Sequence, residues 1–248
     1  MDRGETTGFA AAVGAAAHAF VARLDETLEV AGDDGHHLAR VLRLEAGETV
    51  TAADGRGHWR PYRVADTAKS QVRLAAAGPP AREPALAPRL VVAFALTKGT
   101  KPELVVQKVT ELGADAIVPV RARRSIARWA GTRAEAAVSR LRRVAREAAV
   151  QARRARLPEV AAPVELGALV GRPGLVVAAR DGPPAGALAE PAGGEWVLVV
   201  GPEGGFDPGE RAAIGAVDSV GVGPFVLRAE TAAVAGVAAL AGRRRAAR

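Results

Sequence analysis

A chain of 248 residues has room for one large domain or two small ones, and for a sizeable core. Hydrophobic residues make up 49% of it, much of that alanine, and it contains no cysteine, which excludes disulfides, thiolate metal sites and a cysteine nucleophile and fits a reducing cytosol. The net charge of +7 is unevenly placed: residues 121–156 hold twelve arginines against Glu135 and Glu147, so the remainder of the chain is net acidic.

The first 17 residues read as an alanine-rich, poorly specified tail without the basic start of a signal peptide. A first strand is predicted at His18–Val21. Short pieces follow: strands at Leu28–Val30, Glu48–Ala53, Trp59–Ala65 and Gln71–Ala75, and a brief helix at His36–Val41. Asp54-Gly55-Arg56-Gly57 is a hairpin turn signal. Short strands joined by glycine turns predict a small β-barrel over residues 18–80. His36 and His37 do not read as metal ligands, because adjacent helical side chains cannot face one ion and no third ligand type lies near. Arg40 and Arg43, three apart on the same predicted helix, can face phosphate. Four prolines in residues 79–88 predict a stiff linker over 81–88, followed by a second domain over 89–248.

The second domain reads as alternating strands and helices. Leu90–Leu96 is a continuous apolar run, as in a parallel strand covered on both faces. Pro102 opens a helix that Gly113 closes, and Ala116–Pro119 is the next strand. A long helix is predicted over Arg133–Arg154, with apolar Val138, Leu141 and Ala145 on one face and arginines on the others. So concentrated an arginine field favours a phosphate-backbone partner over a merely solvated helix face. Leu175–Ala179 is a further strand, and Arg180-Asp181-Gly182 after it is a candidate ligand loop. Trp196–Val200 is a buried strand that runs into Gly201-Pro202-Glu203-Gly204-Gly205. There Asp207, Pro208 and Glu210 open a helix with capping-box spacing. Val220–Gly223 ends another strand, residues 224–230 form a loop, and Thr231 starts the last helix. The closing GRRRAAR segment reads as solvated charge. No run of about eighteen apolar residues suggests a membrane span. Glycine loops at the ends of parallel strands are where α/β sheets bind ligands, yet neither loop carries a G-x-G-x-x-G or P-loop pattern, which speaks against a dinucleotide enzyme.

Several motifs occur together and in order: HHLARVLRLEAGETVTAADG; Lys98-Gly99; Gln107-Lys108 with Glu111-Leu112-Gly113; Arg124-Ser125; Glu147 and Gln151 with Arg154; Leu157-Pro158-Glu159-Val160; GPEGGF; and GPFVLRAETA. In this they resemble the RsmE family of 16S ribosomal RNA (uracil-N3)-methyltransferases of the SPOUT superfamily. Val150 and Ala152 depart from the family pattern, so no mechanism here can use an acid at 150. The resemblance implies an α/β protein: an N-terminal PUA-like RNA-binding β-barrel and a C-terminal SPOUT domain with a mainly parallel sheet and a trefoil knot. It implies S-adenosylmethionine as cofactor and no metal. The cofactor would be held at Ala178 and Ala179; at Gly201, Pro202, Glu203, Gly204 and Gly205; and at Val222, Gly223, Pro224, Val226, Leu227, Arg228, Thr231 and Ala232. Arg228 is the candidate for steadying negative charge on the uracil carbonyls, with Glu203 and Glu230 as candidate bases. His37, Arg40, Arg43, Arg124, Arg153 and Arg154 are candidate RNA contacts. The implied partners are 16S ribosomal RNA or the small ribosomal subunit and a second copy of the chain, in the cytoplasm and away from membranes. The rival expectation is an RNA-binding protein without catalysis.

Overall fold

The computed structural model describes residues 14–127 and 129–246, so most of the predicted tail lies outside the described residues. Contacts divide the chain into two units: residues 1–85 with 149–157, and residues 86–148 with 158–248.

The first unit contains β1 (Ala17–Phe20), β2 (Thr27–Val30), β3 (Thr49–Ala53), β4 (His58–Ala68), β5 (Gln71–Ala76) and β6 (Ala81–Arg82). They pair in the order β1-β3-β4-β5-β2, with β6 added to β4. Period-two patterning sets the faces: Val72 and Leu74 are buried while Gln71 and Arg73 are exposed. Val50, Tyr62, Val64 and Leu38 complete that core. The β3–β4 turn forms because Asp54 Oδ1 accepts the backbone N–H groups of Arg56 (2.7 Å) and His58 (3.1 Å), and Gly55 and Gly57 take positive φ.

The single helix predicted at His36–Val41 is instead α1 (Gly32–His36), followed by a π-helical turn over His37–Val41. Gly35 packs so closely that a Cβ there would lie 2.4 Å from the Ser70 carbonyl oxygen, which brings the turn down onto β5. Arg43 lies beyond the turn with φ 53°, so it does not share a helix with Arg40 as the spacing suggested. This left-handed residue turns the chain back so that Leu44 can be buried.

The long helix also ends sooner than predicted. It stops at Gln151, and Arg153 takes φ 55°. The Arg153 N–H bonds to the Val150 carbonyl (3.1 Å) and the Arg154 N–H to the Ala149 carbonyl (2.9 Å), a Schellman closure with arginine where glycine is usual. Ala149 and Ala155 then pack with Phe20, Ala53 and Trp59. The Arg154 carbonyl accepts from His18 Nε2 (3.1 Å), so His18 Nδ1 is the lone-pair nitrogen and accepts from the Thr51 hydroxyl (2.8 Å).

Burial outweighs the backbone bond and lowers the His18 pKa from 6.5 to about 4. The neutral ring therefore stabilises the fold above the unfolded-state value, and that stability is lost as pH falls from about 6.5 through about 4. The loss should approach roughly 3 kcal/mol. Urea unfolding at a series of pH values, wild type against His18→Gln, would show it as a pH slope that the variant lacks.

The second unit contains β7 (Leu86–Ala87), β8 (Arg89–Ala95), α2 (Lys101–Glu111), β9 (Ala116–Arg121), α3 (Gly131–Gln151, of which residues 149–151 count with the first unit), β10 (Glu159–Val160) and β11 (Val164–Glu165). It continues with β12 (Leu175–Ala179), β13 (Glu195–Val200), α4 (Pro208–Ile214), β14 (Asp218–Gly221), α5 (Ala229–Ala241) and β15 (Arg245–Ala246). The main sheet runs β10-β9-β8-β13-β12-β14, with β11 on β9, and all its pairings are parallel. The apolar runs are buried on both faces. Leu90, Val92 and Phe94 of β8 and Trp196, Leu198 and Val200 of β13 pack with α2, α3 and α5, whereas Val91, Ala93, Val197 and Val199 pack with Leu166, Leu169 and Phe206.

In the segment predicted as linker, β6 pairs with β4 and β7 pairs with β15. The C-terminal arginines do not form a solvated tail: Arg244 is buried, and the Arg243 guanidinium sits 4.9 Å from the centre of the Trp196 ring. No helix of the described residues is long and apolar enough to cross a membrane.

Candidate cofactor cleft

Three adjacent parallel strands, β13, β12 and β14, end on the same side of the sheet, and the loops that leave them enclose a cleft of about 560 Å³. The loop after β13 is held from both ends. Gly205 takes φ 66° and bonds back to the Pro202 carbonyl (2.8 Å). Asp207 and Glu210 then form the predicted capping box, with bonds of 2.8 and 3.0 Å. Glu210 is buried and its other oxygen accepts the Arg123 N–H (2.7 Å), which ties the loop after β9 to the start of α4. Arg124 donates to the Gly204 carbonyl (2.9 Å).

The loop after β12 packs on the end of β14: the Gly221 N–H bonds to the Pro183 carbonyl (2.7 Å), and a Cβ on Gly182 would lie 2.7 Å from the Val220 carbonyl carbon. After β14 the last helix begins earlier than predicted, at Ala229 rather than Thr231, so Arg228 is its N-cap residue and Glu230 lies in its first turn, where a negative charge suits the helix dipole.

Of the residues predicted to hold a cofactor, Ala178 and Ala179 line the cleft from β12, and Gly201, Pro202, Glu203 and Gly205 line it from the glycine loop. Val222, Val226, Leu227 and Ala232 line it from the third side. Gly204, Gly223, Pro224 and Arg228 of the same loops, and Thr231 in the first turn of α5, do not line the cleft. Arg180 and Asp181 of the predicted ligand loop after β12, and Phe225 of the loop after β14, line it too, as do Phe206 and Arg211, which lay outside the predicted loops. Arg180 and Asp181 pair with each other through two bonds of 3.0 Å. Phe225 and Val226 are 76% and 83% exposed, apolar groups presented at the cleft edge.

Sequence reasoning passed over a residue that pairs with two carboxylates beside the cleft. Lys101, the first residue of α2, donates to Glu203 (2.9 Å) and lies 3.5 Å from Glu230. No short-range pattern could have paired it with a carboxylate 102 positions away. The Lys101 hydrogen bond, with a smaller contribution from the Arg228 charge, lowers the Glu203 pKa below the usual carboxylate value, which weakens Glu203 as a base. Glu230 keeps its second carboxylate oxygen buried without a hydrogen-bond partner. Arg228 is exposed and makes no ion pair among the described residues. Lys108 and Glu111 form an i,i+3 pair at 2.9 Å.

Among the predicted RNA contacts, His37, Arg40 and Arg43 are exposed in the first unit, where Arg40 also donates to the Lys69 carbonyl (3.2 Å). Arg153 and Arg154 are partly buried at the end of the long helix. Arg124 is the one that touches a cleft loop. The described residues hold no group of three or more metal-ligating side chains.

The model of an RNA methyltransferase domain matches residues 84–241, more than half of the chain, and that of an RNA methyltransferase PUA domain matches residues 30–75. This chain belongs to the RNA methyltransferase family. A ribosomal RNA small subunit methyltransferase E of Mycobacterium bovis is 36% identical over 246 residues, with 89% of each chain covered. A Legionella pneumophila structure in complex with bound S-adenosylmethionine is similar at 26% identity and a TM-score of 0.76, covering 91% of this chain and 97% of that one. The fold is also shared with a ribosomal RNA small subunit methyltransferase E of Neisseria gonorrhoeae, at 24% identity, a TM-score of 0.81 and coverage of 92% and 97%.

Proposed function

We propose that the chain transfers the methyl group of S-adenosylmethionine to N3 of a uridine in 16S ribosomal RNA. The observation that carries this reading is the cleft at the ends of β12, β13 and β14. Its volume is that of a site for a nucleoside-sized ligand. Its walls suit one with an apolar ring and polar edges. The bare backbone of Gly201 and Gly205 offers hydrogen-bonding groups, and Val222, Leu227 and Ala232 offer apolar surface. The family match and the cofactor-bound relative from Legionella support the same assignment.

When bound, the cofactor supplies an electrophilic methyl group on a sulfonium that is already a good leaving group. The protein therefore has mainly to align the acceptor and manage one proton. The uridine N3–H proton must leave, and negative charge then spreads to the flanking carbonyl oxygens. Arg228 stands beside the cleft as an exposed, unpaired cation able to steady that charge. Glu203 and Glu230 share Lys101, which favours a supporting role for both over proton abstraction. Arg124, which donates to the Gly204 carbonyl of the glycine loop, is read as an RNA-phosphate contact, as are His37, Arg40 and Arg43, with Arg153 and Arg154, on the PUA-like unit. A trefoil-knotted SPOUT topology, a homodimer and a cytoplasmic location complete the reading.

Titration calorimetry tests the pocket. Selective micromolar-range binding of S-adenosylmethionine, with none of NAD or ATP, is expected. A folded protein that binds none of the three would leave an RNA-binding protein without catalysis.

A further inference from the structure

Three elements meet at Lys101. Its backbone is fixed at the start of α2, because Pro102, Val105, Val106 and Val109 of that helix are buried. Its ammonium reaches Glu203 on the glycine loop (2.9 Å) and Glu230 in the first turn of α5 (3.5 Å). Both carboxylates sit on walls of the cleft: Glu203 lines it directly, and Ala229 and Ala232 line it on either side of Glu230. Lys101 does not line the cleft itself.

We propose that Lys101 is a positioning residue for the cofactor: by bridging Glu203 and Glu230 it holds the glycine loop against the start of α5 and so sets the affinity of the cleft. The inference rests on the reading of the cleft as an S-adenosylmethionine site. One cation serves two carboxylates, and one oxygen of Glu230 is already buried without a partner. Without the ammonium, that pair would be left with like charges and only the Arg228 charge acting on Glu203. The charged groups acting on Glu203 are Lys101 and Arg228, and those acting on Lys101 are Glu203 and Glu230. Repulsion would then push the glycine loop outward. Protonating one carboxylate would relieve it, so the defect has a definite pH signature: large above the carboxylate range and shrinking as pH falls.

The test measures S-adenosylmethionine affinity by calorimetry for wild type, Lys101→Met and Lys101→Arg from about pH 8 down to about pH 5.5. Lys101→Met is expected to weaken binding roughly tenfold or more near pH 8 and less than about threefold near pH 5.5, with Lys101→Arg within about threefold throughout. Hydrogen exchange of residues 201–206, compared between variants at one pH without cofactor, is expected to be faster in Lys101→Met. Unchanged affinity and unchanged exchange in Lys101→Met would overturn the proposal. So would a loss that is equal at every pH and is not rescued by arginine, the mark of simple misfolding. A wild type that fails to bind the cofactor would instead overturn the reading of the cleft, while the exchange comparison would still decide whether Lys101 holds the loop.

Discussion

Arg244→Leu is expected to destabilise the second unit by about 3–5 kcal/mol, the range for removing one partner of a buried ion pair. The Arg244 side chain is fully buried, and its guanidinium is used in every direction. Nε donates to the Pro88 carbonyl (2.7 Å), Nη1 to the Gly113 carbonyl (2.6 Å) and Nη2 to the Leu86 carbonyl (3.1 Å). Nη2 also pairs with Asp115, whose same oxygen accepts the Leu90 N–H (2.9 Å). One side chain thus joins the C-terminal segment to the entry of β8 and the turn after α2. Leucine would fill part of the volume but leave three carbonyls and a carboxylate short of donors. Urea unfolding checks this, with the exposed Arg245→Ala as control; Arg245→Ala should stay within about 0.5 kcal/mol of wild type. Arg244→Lys should fall between, because an ammonium cannot reproduce the planar fork. A change below about 0.5 kcal/mol in Arg244→Leu would mean that the C-terminal segment is dispensable.

Arg228→Ala is expected to lower the turnover of methyl transfer by about 100-fold or more, a loss typical of removing one preorganised stabiliser of developing charge. Affinity for S-adenosylmethionine should change by no more than a few-fold, because Arg228 does not line the cleft. Damage to α5 should be small: Arg228 occupies the N-cap position but its side chain makes no capping bond, so alanine removes none. Single-turnover kinetics with saturating cofactor separates the two effects. Full turnover in Arg228→Ala would remove this residue from the chemistry. A loss of cofactor binding equal to the loss of turnover would make it a binding residue instead.

The features legible in the sequence are those fixed by neighbours along the chain. The apolar run from Trp196 to Val200 could only be a strand covered on both sides. Asp207, Pro208 and Glu210 specified a helix start through their own side chains, and the structure forms both bonds of that box. The glycine loops announced a cleft, since only backbone that tolerates close approach is useful there. What stayed hidden depends on distant partners or on strain. Arg153 ends a helix in a left-handed conformation that its residue type does not advertise. Gly35 reads as an ordinary loop glycine until the Ser70 carbonyl is seen against it. Arg244 reads as one of four solvated arginines, because nothing local reveals that Asp115 and three carbonyls await it. Lys101 is hidden for the same reason: its meaning lies in Glu203 and Glu230, both on the far side of the fold in sequence.

The central claim is tested most directly by incubating the protein with small-subunit ribosomal RNA, free and as assembled particles, and with S-adenosylmethionine labelled in its methyl group, then digesting the RNA to nucleosides. The account predicts that the label appears in 3-methyluridine and nowhere else, and that Arg228→Ala leaves it almost absent. Label in a ribose or in another base, or no label from a protein that binds both RNA and cofactor, would contradict it.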